Sequence, residues 1–216
     1  MDESLINKLT SYPFPESNLF SGSSCAIIGN SGILLESELG SEIDSHDFII
    51  RFAQGRVKGF ETHVGSRTSL RFINIHCVAG INNNTDSIRD NLVIWSKFSL
   101  DIFKELDEVN YVATPDVDLT NVSSLYPNSK FSNISTTTKD KLYEVLEKNP
   151  TTGLIAVLLS LANFKNISCY GFDFYGSEKH HYWEDSIPQD RTVCHSLDEE
   201  KEIMYYLKNN SIINFK

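Results

Sequence analysis

An α/β fold, with a mainly parallel twisted sheet flanked by helices, follows from three features of the sequence. Short apolar runs rich in β-branched residues recur along it, helical segments fall between them, and a glycine-rich turn directly follows the first run. The runs read as buried strands are Cys25–Ile28, Phe48–Phe52, Ser69–Ile75, Leu92–Trp95, Tyr111–Ala113 and Ile167–Tyr170. The helical segments are Leu100–Leu106, Lys139–Lys148, Thr152–Ala162 and Leu197–Asn209. Stretches 82–89 and 118–138 are polar and poorly patterned, and they read as loops bordering a site. No repeat, low-complexity tract or long Pro/Gly linker interrupts residues 1–216, which read as one domain.

Composition narrows the function classes. Of the 216 residues 40% are hydrophobic and 22% charged, as in an ordinary globular protein with a real core. A net charge of −10 argues against nucleic-acid binding and against electrostatic attachment to anionic lipid. An anionic substrate would therefore be held by a local set of donors working against the overall field. No run approaches the ~20 apolar residues of a membrane span. The start, Met1-Asp2-Glu3-Ser4, lacks the plan of a signal peptide. Cys25, Cys77, Cys169 and Cys194 have no metal-site spacing and read as reduced thiols.

Several local patterns are candidates for chemistry. The turn Gly29-Asn30-Ser31-Gly32 ends the first strand, where open α/β sheets bind ligands; on its own it is equally a structural turn. It fits neither the dinucleotide fingerprint nor the P-loop. The helix from Gly153 to Ala162 is apolar on nearly every face and should be buried. Its start, Asn149-Pro150-Thr151-Thr152-Gly153, combines capping hydroxyls with free N–H groups, which suits an anion. Ser196-Leu197-Asp198-Glu199 is a capping-box pattern that opens the last helix one residue after His195. His195 is a candidate proton acceptor or a plain surface residue at a helix start. His180 and His181 are adjacent, and on an extended segment they point in opposite directions. Tyr182 and Trp183 read as packing residues, the alternative being that one of them touches the donor; Glu184 and Glu200 read as structural, the alternative being that they orient the histidines.

Taken in order, these segments resemble the animal-type sialyltransferase family. The region 25–74 is similar to the family's large sialylmotif, with Glu42-Ile43-Asp44, Ile50-Arg51-Phe52 and Val64-Gly65-Ser66-Arg67-Thr68 in near-uninterrupted spacing. Pro150-Thr151-Thr152-Gly153, the apolar helix and Tyr170-Gly171-Phe172 resemble the small sialylmotif. His181-Tyr182-Trp183-Glu184 resembles the third motif, and His195 through Glu200 the very small motif; His180 falls outside the third motif, which implies that it is a surface residue. The resemblance implies one Rossmann-like, GT-A-like domain transferring sialic acid from CMP-sialic acid to a glycan hydroxyl with inversion. It implies that Gly29, Asn30, Ser31 and Gly32 contact the CMP phosphate and ribose. Thr151, Thr152 and Gly153 would hold the donor, Gly171 and Phe172 would border the cytosine, His181 would donate to the departing phosphate, and His195 would deprotonate the acceptor.

Two positions depart from the family pattern. Ala53 stands where the family has an asparagine that helps to bind the donor nucleotide, and Gln54 or Asn74 is a substitute. Phe164 stands where the family has the cysteine that pairs with the one matching Cys25, so that bridge is expected to be absent. Together with the missing anchor, this points to a cytoplasmic relative of bacterial or viral type; the alternative is the lumenal domain of a Golgi enzyme without its anchor. CMP-Kdo is the alternative donor, since it too is a CMP-activated acidic sugar.

A different reading starts from Asp116-Val117-Asp118, a D-x-D of the kind that holds a divalent ion on a nucleotide diphosphate. A phosphate monoester leaving group can instead be stabilised by histidine, hydroxyls and backbone N–H groups, so no metal or other cofactor is expected. Transfer should then persist in EDTA. Loss of activity with EDTA and recovery with Mg²⁺ or Mn²⁺ would favour the D-x-D reading.

Overall fold

The computed structural model describes residues 18–78, 110–114, 117–146, 149–174, 176, 179–184 and 195–216. Seven strands among them form one sheet: β1 (Ser24–Ile28), β2 (Phe48–Phe52), β3 (Leu70–Ile73), β4 (Asn110–Ala113), β5 (Lys130–Asn133), β6 (Asn166–Tyr170) and β7 (Asn214–Phe215). Their order is β5-β4-β3-β2-β1-β6-β7, and every neighbouring pair is parallel. The helices of the described residues are α1 (Gly40–Asp44), α2 (Glu61–Val64), α3 (Ile75–Val78), α4 (Thr120–Leu125), α5 (Thr136–Leu146), α6 (Thr152–Leu161) and α7 (Leu197–Asn209).

Covering both faces of a parallel sheet requires near-continuous apolar strands, and β2 (FIIRF) and β3 (LRFI) are buried throughout. Alternation along each strand then sorts the side chains. Cys25, Ile27, Ile50, Phe52, Phe72, Ile167 and Cys169 face α6 and α7 in one core with Leu154–Leu159, Ile203, Met204 and Leu207. Ala26, Ile28, Ile49 and Tyr170 pack on the opposite face against Leu34, Ile43, Val64 and Tyr182. Helix α6 has no polar stripe because it lies wholly inside the first core, with Leu154 to Ser160 buried. Its one buried hydroxyl, on Ser160, donates to the Ala156 carbonyl at 2.7 Å.

Several expected boundaries change, each for a local reason. The third strand ends at Ile73 rather than Ile75, because Asn74 Oδ1 accepts the Cys77 N–H and starts α3. The stretch 118–138 is not simply loop: it holds α4 and β5. The Asp118 carboxylate accepts the Thr120 N–H at 2.9 Å just ahead of α4, and Val122 is the residue that α4 buries. At the sheet edge β5 buries none of its four residues fully; Phe131 stacks on Tyr111 at 4.7 Å. Neither element has an apolar period to read. Helix α5 begins three residues early, where Ser135 Oγ accepts the Thr138 N–H. Leu92–Trp95 and Leu100–Leu106 lie outside the described residues. Helix α7 has the expected bounds.

On the second face Arg51 and Arg71 stand side by side in register, each 1% exposed. Arg51 Nε donates to Thr68 Oγ1 at 3.0 Å, and its Nη2 donates to the carbonyls of Val64 at 2.7 Å and Arg67 at 2.9 Å. Burial pulls its guanidinium down to about 10, so it stays protonated at neutral pH. From the other side the Asp44 carboxylate accepts the N–H groups of Ser66 and Arg67 and the Ser66 hydroxyl. Burial pushes the Asp44 carboxyl up, but those hydrogen bonds outweigh it and hold the group below its ordinary range. The loop 64–68 is thus gripped by its carbonyls from β2 and by its amides from α1. Arg51→Met would strand the Val64 and Arg67 carbonyls without donors. It should lower stability by about 3 kcal/mol or more, read as a lower urea midpoint at unchanged m.

Candidate active site

The chain runs outward from β1 to β5 and then returns to place β6 on the other side of β1. The order reverses between β1 and β6, and open α/β sheets bind ligands at the carboxyl ends of the strands flanking such a reversal. The two chains leave the sheet there in backbone contact. Gly29 N–H donates to the Tyr170 carbonyl at 2.7 Å, and a Cβ on Gly29 would be driven into the Gly171 carbonyl. Gly171 has φ +67, a left-handed conformation that favours glycine, and the Leu34 side chain lies against it.

Phe172 then leads across to the start of α6. A Cβ on Gly153 would lie 3.0 Å from Phe172 Cε1, so the small residue lets the ring sit over the helix N-terminus. The ring also meets Phe52 edge-on at 6.2 Å. Thr151 is the N-cap: its Oγ1 accepts the Leu154 N–H at 3.2 Å, which leaves Thr152 and Gly153 as first-turn N–H donors.

The segment carrying His181 lies along the β1 turn. Gly32 N–H donates to the Lys179 carbonyl at 3.1 Å and Tyr182 N–H to the Asn30 carbonyl at 3.0 Å. Asn30 Nδ2 reaches the Phe52 carbonyl at 3.4 Å, and Gly55 leaves room for the Asn30 side chain. Ser31 is buried and spends an acceptor on the Ile33 N–H, capping the 3-10 turn Gly32–Glu36. His181 is buried, stacks on Trp183 at 4.5 Å and 5°, and its Nδ1 is bonded to the Glu184 carboxylate. Tyr182 is 1% exposed with its hydroxyl donating to the Arg56 carbonyl, a packing role as expected.

On the opposite side, His195 Nδ1 lies 2.8 Å from the Asn149 carbonyl. A carbonyl only accepts, so Nδ1 carries the proton and Nε2 of a neutral ring is the basic nitrogen. Glu200 is buried, and its carboxylate accepts the Thr151 N–H at 2.7 Å and the Thr151 hydroxyl at 2.5 Å. Burial lifts its carboxyl to about 7, against the pull of the Thr151 hydrogen bonds.

The fold therefore brings Gly29–Gly32 to His181, and Thr151–Gly153 to His195, with Gly171 and Phe172 between the two groups. Asn74 stands at the end of β3, two strands from β1, and its carboxamide serves α3. Two expectations are corrected. His180 is buried rather than at the surface, with its ring 4.1 Å from that of His181; the segment bends there, so neighbouring side chains need not point apart. Ser196 makes no capping box: its hydroxyl donates to the Leu146 carbonyl, tying α7 to α5. Glu200 as the partner of Thr151 was not legible, since 49 residues separate them and only the packing of α7 beside α6 joins them.

Ala53 has φ +43, and Arg71 Nη1 holds its carbonyl at 2.8 Å. Phe164 packs against Phe48 and Phe20 where the family cysteine would stand. Cys25 and Cys169 are free buried thiols, and burial pushes Cys25 up to about 12. Asp118 accepts the Thr120 N–H at the start of α4, and Asp116 lies outside the described residues. Among the described residues, no helix is long and apolar enough to cross a membrane, and no three His, Cys, Asp or Glu side chains gather as a metal ion would require.

An all-parallel sheet with a glycine-lined reversal point is the architecture of an open α/β protein whose ligands bind at the carboxyl ends of its strands. The model of glycosyltransferase family 29 (sialyltransferase) matches residues 3–212, and the chain belongs to this family. It is 30% identical over 228 residues to the CMP-N-acetylneuraminate-beta-galactosamide-alpha-2,3-sialyltransferase 1 of Gallus gallus, covering 94% of this chain and 60% of the relative. It is 29% identical over 168 residues to the beta-galactoside alpha-2,6-sialyltransferase 2 of Takifugu rubripes, covering 69% of this chain and 30% of that one. The chain thus spans about 60% of the first relative and less of the second. Both relatives are sialyltransferases by name, and they lend the Kdo alternative no support. In fold, the chain is similar to a mammalian sialyltransferase crystallised with Gal-beta-1-3GalNAc-ortho-nitrophenol, with TM-score 0.64, 24% identity and coverage of 99% of this chain and 78% of that one. It is also similar to the sialyltransferase CstII of Campylobacter jejuni in complex with cytidine-5'-monophosphate, with TM-score 0.52, 13% identity and coverage of 91% and 79%.

The lifted Glu200 carboxyl has a consequence for stability. The native state binds a proton more tightly than the unfolded chain, so this contribution is fully present below about 4.5 and is lost as pH rises through about 7. Glu200→Gln cannot ionise. Its Tm relative to wild type should therefore be higher at pH 8 than at pH 5, by an amount equivalent to on the order of 3 kcal/mol. Calorimetric scans of both proteins across that range check it; parallel curves would show that Glu200 does not titrate there.

Proposed function

We propose that this chain transfers sialic acid from CMP-sialic acid to a hydroxyl of a glycan acceptor, with inversion, using residues 1–216 as one catalytic domain and no metal. The observation that carries the reading is the contrast between the two histidines. His195 Nδ1 faces a neutral carbonyl and His181 Nδ1 faces a carboxylate. The first contact fixes the tautomer that leaves Nε2 as the acceptor; the second places a carboxylate beside a ring that can donate from Nε2.

The donor's CMP lies at the β1–β6 reversal. The Gly29–Gly32 turn lines the phosphate and ribose, the Thr152 and Gly153 amides and the α6 dipole attract the anion, and Gly171 and Phe172 border the base. Asn74 takes part from the end of β3. As the bond between the sugar carbon and the phosphate oxygen breaks, charge collects on CMP and His181 donates to it. The acceptor hydroxyl attacks the opposite face of that carbon, and its proton passes to His195 Nε2. The names of the family relatives, which carry CMP-N-acetylneuraminate and sialyl transfer to galactose-containing acceptors, support the donor and the acceptor class.

The two histidines should separate in kinetics. A general base contributes roughly 10²–10⁴-fold to rate, so His195→Ala should lower kcat by that order while CMP affinity stays near wild type. His181→Ala should lower kcat and also weaken CMP binding by about 10-fold or more, since a charge-assisted hydrogen bond to the phosphate is lost. CMP titration by calorimetry beside transfer kinetics measures both. A folded His195→Ala protein with near-normal kcat would remove His195 as the base.

A further inference from the structure

Residues 195–200 hold the segment 146–151 at three successive points. His195 Nδ1 bonds the Asn149 carbonyl, the Ser196 hydroxyl reaches the Leu146 carbonyl, and Glu200 takes both the N–H and the hydroxyl of Thr151. The Thr151 hydroxyl gives its proton to Glu200 while accepting the Leu154 N–H, so its orientation is fixed from both sides. The first and last of these contacts join the two parts of the site that need a common frame: the ring at position 195 and the first turn of α6.

A carboxylate is an expensive group for this place. Glu200 is 3% exposed, Glu199 beside it adds like charge, and among the described residues no cation pairs with it. A neutral or apolar contact between α6 and α7 would stabilise the fold at least as well. What a carboxylate supplies is two acceptors at once. Thr151 presents two donors, and a carboxamide would meet one of them with its NH₂.

We propose that Glu200 is a positioning residue: by fixing Thr151 it locks the donor-holding turn and His195 into one rigid unit, so that the acceptor oxygen, the base and the donor carbon are aligned. This rests on the proposed roles of Thr151–Gly153 and His195. Displacements of about 1 Å at a reacting centre are worth roughly 10²-fold in rate, and groups that act as a unit lose function non-additively.

The test uses the full chain as wild type, Glu200→Gln, Thr151→Val and the double variant, with His195→Ala alongside. Each is measured for folding by circular dichroism, for transfer kinetics with CMP-sialic acid, and for CMP affinity by calorimetry. Each single variant should lower kcat about tenfold or more with the acceptor KM changed less than about threefold, and the double variant should fall no further than the worse single. A purely structural role would lower Tm and leave kcat unchanged; that result, or losses that multiply in the double variant, overturns the proposal. Should Glu200→Gln fail to fold, Thr151→Val, which keeps its backbone N–H on Glu200, carries the kcat test alone. A near-normal kcat in His195→Ala would sink the base assignment separately. The cycle read in CMP affinity then tells the two failures apart: additive losses there overturn the clamp, and non-additive losses keep Glu200 as the holder of the donor turn.

Discussion

The backbone contact between the exits of β1 and β6 is the constraint on which the rest of the site depends. Gly29 N–H continues the β1–β6 ladder onto the Tyr170 carbonyl, one step beyond the last paired residues. No side chain fits between the two exits, because a Cβ on Gly29 would collide with the Gly171 carbonyl and Gly171 itself turns through φ +67. The turn after β1 therefore opens toward the segment 179–182, and the chain after β6 opens toward α6. Two glycines thus decide that segments more than a hundred residues apart share one mouth at the end of the sheet.

Around that mouth the charged residues divide into frame and chemistry. Asp44, Arg51 and Arg67 hold the loop 64–68 and the turn after α1. Arg51 makes no ion pair with a carboxylate; its Nη2 meets the Val64 and Arg67 carbonyls and its Nε the Thr68 hydroxyl, which offset part of the cost of burying the charge. Arg71 does the same for the turn at Ala53 and Gly55. These groups brace the ends of β2 and β3.

The histidines are distinguished by what lies on Nδ1, and the difference is one of charge. A carbonyl holds a tautomer; a carboxylate holds a tautomer and also lies close to any positive charge the ring acquires. The carboxylate on Thr151 is a third kind of group. It is buried, poised near neutrality and bound to a helix cap rather than to a histidine. Ionisation of Glu200 thus connects folding stability with the turn that precedes α6.

The sequence by itself determined the parallel α/β class and most of the strands and helices. Buried parallel strands must be apolar on both faces, and a helix inside the core must be apolar all round, so both leave a composition signal that needs no partner to be read. It also determined which segments carry small residues and histidines, since Gly29–Gly32, Thr151–Gly153 and His195 stand at element ends that local chemistry marks. Only the tertiary structure decided the rest. The strand β5 and helix α4 bury too little to leave a period; His180 turns inward because its segment bends. The acceptors on His195 Nδ1 and Thr151 come from segments about 46 and 49 residues away in the chain. Hydrogen bonds between distant segments depend on which elements pack side by side, and spacing along one chain carries no record of that.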